Sequence, residues 1–253
     1  MKAVFRLGAA AALAIVTLDC SAAQFNILVF SKTAGWHHES IHEGVTALRE
    51  LAQQHDFNVF WTEDAGRIFK DQELAKYQAV VFLSTTGDIL TDEQRRTFER
   101  YIRKGGGYVG VHAASDTEYG WPWYRQLVGR MFTTHPPVQT AMLKVADRAF
   151  PGMERFADRS LVTEEWYEFG KEETAGLHYL LTVDESTYAP KPNGGMGSFH
   201  PVSWYHPFDG GRSFYTALGH LPGTYADPVF RHHLYGGIYW AATGNGIAGS
   251  PAK

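Results

Sequence analysis

A-V-V-F-L-S-T-T-G-D-I-L-T-D-E-Q-R-R-T-F-E-R-Y-I-R-K-G-G-G-Y-V-G-V-H, residues 79–112, is the stretch that decides the fold of this chain. It contains two apolar runs typical of buried strands, Ala79–Leu83 and Tyr108–His112, on either side of a predicted helix. Thr91 to Gln94 fits the capping box that begins a helix. The glycines at 105–107 end that helix, because glycine accepts a left-handed turn at little cost. A strand, a helix and a strand in this order predict two parallel strands in one sheet.

The residues before this stretch repeat the pattern. Phe25–Ser31 is a near-continuous apolar run, and Phe57–Trp61 is a second predicted strand. Between them, Ser40 and Glu43 fit another capping box, and the helix is predicted to run to about Gln54. Right-handed crossovers place such helices on both faces of a sheet. We therefore expect an α/β fold with helices on both sides of a mostly parallel sheet.

The second half of the chain has a different pattern. A turn at Asp209–Gly211 makes the last two predicted strands a β-hairpin, and Pro228 fits the first position of a final helix that ends near Thr243. Because there is no internal repeat and no linker, we expect one domain over residues 24–243 and a flexible tail at 244–253. The strands predicted in this half are His178–Val183, Pro201–His206 and Ser213–Leu218.

The N-terminus carries a predicted signal peptide over residues 1–23. A positive flank and an apolar run, Leu7–Leu18, precede small residues that suit cleavage after Ala23. The run is too short for a membrane span, which needs about 20 residues, and no other segment reaches that length. We therefore expect a periplasmic or secreted protein. The alternative, lipid attachment at Cys20, is disfavoured because Asp19 stands where a small residue is preferred.

Composition and motifs exclude several classes of function. The predicted cleavage removes Cys20, the only cysteine of the chain, so the mature protein would have no disulfide, no thiolate nucleophile and no zinc–thiolate site. The formal net charge is −4, which lacks the basic surplus typical of nucleic-acid binding. The chain contains neither a phosphate-binding P-loop nor a G-x-S-x-G nucleophile motif.

Histidines and carboxylates gather where a parallel sheet binds its ligands. Ligands of open α/β sheets lie beyond the carboxyl ends of the strands, which selects the loops 32–39, 85–88 and 112–119. Histidine is the side chain best suited to proton transfer near neutral pH, and imidazoles with a carboxylate also suit zinc or another divalent metal. The candidates in these loops and in later segments are His38, Asp88, His112, Asp116, His135, Glu164, Glu165, Tyr167, His200, His206 and His220.

Several candidates have structural alternatives. Only one of His37 and His38 is expected to face a ligand, and His38 is favoured because it lies nearer the helix. His112 would alternatively bond only to a neighbouring backbone. Adjacent residues of an extended segment face opposite ways, so only one of Glu164 and Glu165 is expected to point into the cleft. Packing or surface roles are expected for Trp121, Trp123, His42, His232 and His233. For Trp121 and Trp123 the alternative is a platform that binds a sugar.

Six segments become recognisable together. They are T-A-G-W-H-H-E-S-I (33–41), F-L-S-T-T-G-D-I-L-T (82–91), Y-I-R-K-G-G-G-Y-V-G-V-H-A-A-S-D-T-E-Y-G-W-P-W-Y (101–124), T-E-E-W-Y (163–167), H-P-V-S-W (200–204) and D-G-G-R-S-F-Y-T-A-L-G-H (209–220). From about Phe25 to Thr243 the chain resembles the trehalose-utilisation, or ThuA-like, family. The family pattern R-H-x-S-I is only partly kept, since Trp36-His37 stands where Phe-Arg is usual, while His38 matches.

The resemblance implies a flavodoxin-like three-layer sandwich of the class I glutamine-amidotransferase type. In that superfamily a cysteine nucleophile lies on a sharp turn after the strand that here ends at Val111, and this chain has His112 in its place. Because the glutaminase reaction needs the thiolate, we expect no glutaminase activity despite the fold. The family name points to carbohydrate metabolism. Motif position supports His38, His112, His135, Glu165, His206 and His220 as site residues.

Three functional hypotheses follow. The first is an exported enzyme that acts on a sugar, glycoside or keto-sugar by hydrolysis, elimination or isomerisation. In it His112 would be the central base or a metal ligand, Glu165 would assist it, and His38 and His220 would bind or protonate the substrate. The alternatives are a non-catalytic carbohydrate-binding protein and a metal-dependent hydrolase with a zinc-like ion. The predicted substrate-binding residues are Asp88, Asp116, His135, His206 and Tyr167.

Overall fold

The computed structural model describes residues 23–171 and 174–247. The predicted signal peptide, apart from Ala23, lies outside the described residues, as do Cys20 and the last six residues of the predicted tail. In the part of the chain that is described, no helix has both the length and the apolar character needed to cross a membrane.

The first half of the chain alternates strands with helices, as predicted. The strands pair in parallel in the spatial order β2-β1-β3-β4. Each strand predicted in this half is present, with ends that match the prediction or differ by one residue. The elements are β1 (Asn26–Phe30), α1 (Ile41–His55), β2 (Asn58–Thr62), α2 (Ala65–Ile68), α3 (Asp71–Leu74), β3 (Ala79–Leu83), α4 (Asp92–Arg103), β4 (Gly107–Val111) and α5 (Pro122–Val128).

The second half extends the same sheet, mostly with antiparallel strands, and adds a separate two-stranded antiparallel sheet. Its elements are β5 (Phe132–Thr134), β6 (Gln139–Val145), β7 (Arg159–Glu164), β8 (Glu168–Phe169), β9 (His178–Asp184), β10 (Pro201–Phe208), β11 (Gly211–Thr216) and α6 (Pro228–Thr243). β11 lies parallel to β4, and the predicted hairpin of β10 and β11 is confirmed. The sequence did not predict β6 and β7, because polar side chains interrupt both strands and leave no continuous apolar run.

Helices cover both faces of the sheet, which confirms the three-layer arrangement. Phe82 of β3 and Tyr108 of β4 point to one face, where Phe82 stacks on Phe98 of α4 with ring centroids 5.3 Å apart. Phe214 of β11 points to the other face, and its ring lies 5.2 Å from that of His233 in α6. Alternate residues of a strand face opposite sides, so the apolar core is divided between two layers.

Two of the glycines at 105–107 have distinct structural roles. Gly105 has φ +95° directly after α4, in the left-handed region that ends helices. Gly107 begins β4 at a point where an added Cβ would lie 2.2 Å from the carbonyl oxygen of Ala241 in α6. The absence of a side chain therefore allows α6 to lie directly against the sheet.

The two predicted capping boxes have different outcomes. At α4 the prediction is confirmed, because the Thr91 hydroxyl accepts from the Gln94 N–H and the Gln94 side chain accepts from the Thr91 N–H. At α1 the prediction was wrong. Ser40 makes no side-chain cap, and its buried hydroxyl donates instead to the carbonyl of Gly219 at 3.0 Å. This tertiary bond ties the start of α1 to the segment that follows β11.

The candidate functional loops lie at one edge of the sheet, which is formed by the carboxyl ends of its parallel strands. β1, β3, β4 and β11 are parallel, so their carboxyl ends lie at the same edge. β7 is separated from β11 by four successive antiparallel pairings and therefore runs in the same direction as β11. Its carboxyl end reaches this edge too. The segments after β1, β4, β7 and β11 consequently face a common region.

Candidate functional site

Three histidines and one glutamate converge at this edge from four separate segments. His38 lies in the loop after β1, His112 directly follows β4, Glu165 directly follows β7, and His220 lies in the loop after β11. One ring nitrogen or carboxylate oxygen from each residue lies within 4.8 Å of those of the others. These four residues, called here the His/Glu cluster, are the four that the sequence singled out for chemistry.

His112 occupies a sharp turn at the end of β4. It is fully buried and has φ +51°, in the left-handed region, which agrees with the sharp turn that the family resemblance implied at this position. Its Nδ1 lies 2.9 Å from the carbonyl oxygen of Ala217. Because a carbonyl oxygen can only accept, Nδ1 carries the proton and donates it there. The other nitrogen, Nε2, is thereby directed towards Glu165 and His220.

Glu165 lies between the histidines. Its Oε2 is 3.5 Å from His112 Nε2 and 3.2 Å from His220 Nδ1, and its Oε1 is 2.9 Å from His135 Nδ1. Burial alone would raise the pKa of Glu165, but the neighbouring imidazoles of His112 and His220 outweigh this and hold the pKa well below its ordinary range. The carboxylate is therefore ionised near neutral pH.

His38 forms the inner wall of the cluster. It is only 5% exposed, its ring lies 4.7 Å from that of His112, and its buried Nδ1 has no hydrogen-bond partner among the described residues. Burial, together with repulsion from His112 and His220, lowers the pKa of His38 to about 3, so its imidazole is neutral. The neighbouring His37 is exposed and contacts Thr33 instead. Of the two histidines, His38 is the one that faces the cluster, as expected.

Glu164 and Glu165 have different roles: Glu165 faces the histidines, whereas Glu164 positions a neighbouring loop. The buried Glu164 carboxylate accepts from Gly219 N at 2.9 Å, from Thr224 Oγ1 at 2.7 Å and from His220 N at 3.3 Å. It thus fixes the loop that carries His220.

Burial lowers the pKa of His220, but its hydrogen bond with Glu165 outweighs this and raises the pKa above its ordinary value.

Three further predicted residues surround the cluster. The buried Tyr167 ring lies 4.4 Å from that of His112 and closes one side of the site. His135 is partly exposed and bonds to the outer oxygen of Glu165. Asp116, on the turn after His112, accepts a hydrogen bond from the Tyr119 hydroxyl at 2.8 Å. Burial raises the pKa of Asp116, and this hydrogen bond opposes the rise.

Two predicted substrate-binding residues lie elsewhere. Asp88 is exposed, and its carboxylate is 3.7 Å from Arg95. His206 of β10 bonds to the carbonyl of Leu127 at 2.9 Å and is paired with Ser213, three residues before the carboxyl end of β11. At about 3.3 Å per residue this places it roughly 10 Å from the edge. The structure therefore does not bring Asp88 or His206 into the cluster.

Other sequence candidates have packing roles. His200 is buried, with Nδ1 2.7 Å from Glu185 and Nε2 2.7 Å from the carbonyl oxygen of Tyr167, so it supports the segment that carries Tyr167. Trp121 and Trp123 stack on each other with centroids 5.2 Å apart and pack against the core, as expected.

The sequence did not single out two exposed aromatic residues beside the site. Trp36 is 73% exposed, two residues before His38, and Tyr119 is 44% exposed, three residues after Asp116. Trp36 was visible in a strand-end loop, but a sequence does not distinguish an exposed indole from a packed one. Tyr119 also borders a cavity of about 940 Å³ that Phe132 helps to line and that contains no residue of the His/Glu cluster.

The fold and the site define a class of protein. It is an α/β protein with a flavodoxin-like sheet in which a histidine, and not a cysteine, occupies the sharp turn after β4. The family model for ThuA, described as trehalose utilisation, matches residues 26–241, and the chain belongs to this family.

Solved structures agree with this assignment. A protein from Bacteroides uniformis described as ThuA-like has 21% sequence identity and a TM-score of 0.73, with 96% of this chain and 99% of that chain covered. A second such protein, from Parabacteroides merdae, also has 21% identity and a TM-score of 0.70, over 90% and 93% of the two chains. At this identity the likeness shows the fold alone. A search of curated proteins gives no significant match.

Proposed function

We propose that this protein is an exported enzyme that acts on a sugar, glycoside or keto-sugar through the His/Glu cluster. The observation that carries the proposal is the convergence of His38, His112, Glu165 and His220 at the ligand-binding edge of the sheet. Membership of a family described as trehalose utilisation supports a carbohydrate as the substrate. Export rests on the signal peptide that the sequence predicts over residues 1–23.

The cluster contains both partners that acid–base chemistry needs. Nε2 of His112 has a free lone pair when Nδ1 donates to Ala217, so it can accept a proton. His220, whose pKa Glu165 raises, can donate one. In an elimination from a keto-sugar, the base would take a proton from the carbon beside the carbonyl, and the acid would protonate the leaving glycosidic oxygen. Hydrolysis and isomerisation need the same two roles. A glutaminase reaction is not proposed, because His112 stands where that reaction needs a thiolate.

A second candidate function is carbohydrate binding without catalysis. The exposed rings of Trp36 and Tyr119 favour it, because aromatic faces beside a cleft bind the apolar faces of sugars. The rings would bind a sugar but take no part in proton transfer. Both candidates bind a sugar, and they differ in whether the bound sugar is converted to a product.

The proposed function is tested by incubating the purified full-length protein with keto-glycosides and with the matching unmodified glycosides. Nuclear magnetic resonance would follow the sugar signals over time. We expect the wild type to convert at least one keto-glycoside, and His112→Ala to reduce the rate by a factor of about 10²–10⁴. His42→Ala is the matched control, since His42 is exposed on α1 outside the cluster. Binding without any product would instead support the second candidate.

A further inference from the structure

The spacing of three donor atoms in the His/Glu cluster is that of a metal coordination shell. His220 Nδ1 lies 3.2 Å from His112 Nε2 and 3.2 Å from Glu165 Oε2, and the last two atoms are 3.5 Å apart. Zinc binds histidine nitrogens and carboxylate oxygens at about 2.0–2.1 Å in tetrahedral geometry, which separates neighbouring ligand atoms by about 3.3 Å. The three contacts therefore match one face of such a tetrahedron.

Hydrogen bonding alone leaves this cluster incompletely paired. Because His112 Nδ1 donates its proton to Ala217, the neutral His112 presents a lone pair at Nε2 to the carboxylate of Glu165. A single proton on His220 Nδ1 would have to serve both of these acceptors. In the described part of the chain, the buried Nδ1 of His38 has no hydrogen-bond partner. One metal ion at the centre would bind the lone pairs of all four residues at once, whereas a single proton cannot.

The residues around the cluster are arranged as the outer partners of a metal site usually are. Ligand histidines commonly donate their second N–H to a carbonyl or carboxylate, and ligand carboxylates receive further hydrogen bonds. His112 donates to the Ala217 carbonyl, and the outer oxygen of Glu165 lies 2.9 Å from His135 Nδ1. Glu164 holds the backbone of His220. The donor atoms are thus fixed before any ion binds.

We propose that the cluster binds one divalent metal ion, zinc by its donor set, through His112 Nε2, His220 Nδ1 and Glu165 Oε2. His38 offers a ring nitrogen within 4.8 Å of these atoms and is the fourth donor. Imidazoles with one carboxylate form a donor set that suits zinc and related transition metals. A nitrogen that binds the ion cannot transfer a proton, so in the metal-bound protein metal-assisted chemistry would replace the acid–base roles of His112 and His220 in the proposed function. The binding of the ion itself rests on the geometry alone.

The test measures metal binding without any substrate. The full-length protein, purified without a histidine tag, is analysed for metals by mass spectrometry, then stripped with a chelator and titrated with Zn²⁺ alone. We expect about one zinc per chain after titration, and a rise in the melting temperature of the stripped protein. Binding of Co²⁺ should give the strong visible absorption of a site with nitrogen and oxygen ligands in low coordination.

Variants distinguish this site from adventitious binding. His220→Ala and Glu165→Gln should each weaken zinc binding by at least about 100-fold, and His135→Ala by about 10–100-fold through loss of its support. The matched control is His232→Ala, which removes a histidine paired with Glu154 at 2.9 Å outside the cluster. It should leave zinc binding unchanged. Circular dichroism establishes whether each variant is folded. If a variant is not folded, the zinc titration of the wild type alone tests the metal site.

Four outcomes are informative. Stoichiometric zinc that is lost in His220→Ala and kept in His232→Ala supports the metal site. No stoichiometric uptake of Zn²⁺ by the wild type, or equal uptake by all variants, overturns it. Sugar turnover by a protein that binds no metal would overturn the metal site and leave the proposed function standing. Metal binding without sugar turnover would support the metal site and overturn the proposed function.

Discussion

Glu164 and Glu165 show how one step along the chain changes the role of a residue. The two carboxylates follow each other at the end of β7 and point in opposite directions. Glu165 faces the histidines, while Glu164 accepts hydrogen bonds from the loop after β11. The sequence predicted that only one of them would face the cleft, and the family motif favoured Glu165. The supporting role of Glu164 was not predictable, because its partners lie more than fifty residues away in the chain.

Replacement of Glu164 tests this division of roles. Glu164→Ala leaves the Gly219 N–H and the Thr224 hydroxyl without their buried acceptor, and we expect it to lower the free energy of unfolding by about 2–4 kcal/mol. Glu165→Gln keeps the shape of the side chain and should cost less. Urea unfolding of both variants measures the difference. Equal losses in the two variants would show that Glu164 has no special structural role.

Trp36 supports a prediction about ligand binding. Since its indole is 73% exposed, Trp36→Ala should change the free energy of unfolding by less than about 0.5 kcal/mol. If the ring stacks on a sugar, the same change should weaken sugar binding by about tenfold. Leu161→Ala is the control, because Leu161 is equally prominent at 69% exposed but lies on β7. Titration calorimetry compares the three proteins, and unchanged affinity in Trp36→Ala would exclude the indole from the sugar site.

At the scale of elements, the buried parallel strands were the most predictable and the antiparallel edge was the least. β3 was predicted with the ends that it has, because all five residues are apolar and buried. Polar side chains interrupt β6 and β7, and most of their residues are not fully buried, so neither strand shows the continuous apolar run by which the other strands were predicted. The start of α1 was predicted for the wrong reason. Ser40 has the sequence signature of a cap, but a tertiary acceptor competes for its hydroxyl.

The capping box of α4 leads to a stability prediction. Thr91→Ala removes the hydroxyl that accepts from the Gln94 N–H, and we expect a loss of about 1 kcal/mol in the free energy of unfolding. Thr46→Ala is the matched control, since Thr46 lies exposed in the interior of α1, where alanine is the better helix former. Thermal and urea unfolding measure both. If Thr91→Ala were no more costly than Thr46→Ala, the cap would contribute nothing.

At the scale of the whole molecule, the convergence of the site could be predicted only in part. The rule that ligands lie at the carboxyl ends of parallel strands selected the loops of His38 and His112, whose side chains the structure brings close together. It did not show that β7 ends at the same edge, because that follows from four antiparallel pairings between distant segments. The position of His206 was not predictable either, because it follows from the register between β10 and β11, which places His206 away from this edge.

The stability of the whole fold should fall in acid because of a buried histidine. Burial, and the proximity of His232, lower the pKa of His233 to about 3. Below its unfolded pKa of about 6.5 the unfolded chain binds a proton that the folded protein excludes, so stability falls as the pH decreases from about 6.5 towards 3. From about pH 7.5 to about pH 5 this group contributes a loss of roughly 2 kcal/mol.

His233→Asn should remove that part of the acid sensitivity. Urea unfolding of the wild type and the variant at both pH values gives the comparison, with the variant expected to lose less stability between them. His42→Asn, at an exposed histidine, should retain the wild-type loss. An identical pH dependence in His233→Asn and the wild type would contradict the assignment to His233.

The measurement that tests the catalytic role of the His/Glu cluster most directly is sugar turnover by the wild type and by Glu165→Gln in parallel. Glu165 is the carboxylate that contacts three histidines, and glutamine preserves its shape while removing its charge. Conversion of a keto-glycoside by the wild type, with kcat reduced about 100-fold or more in Glu165→Gln, is the expected result. Equal turnover by the two proteins would contradict a catalytic centre at this edge of the sheet.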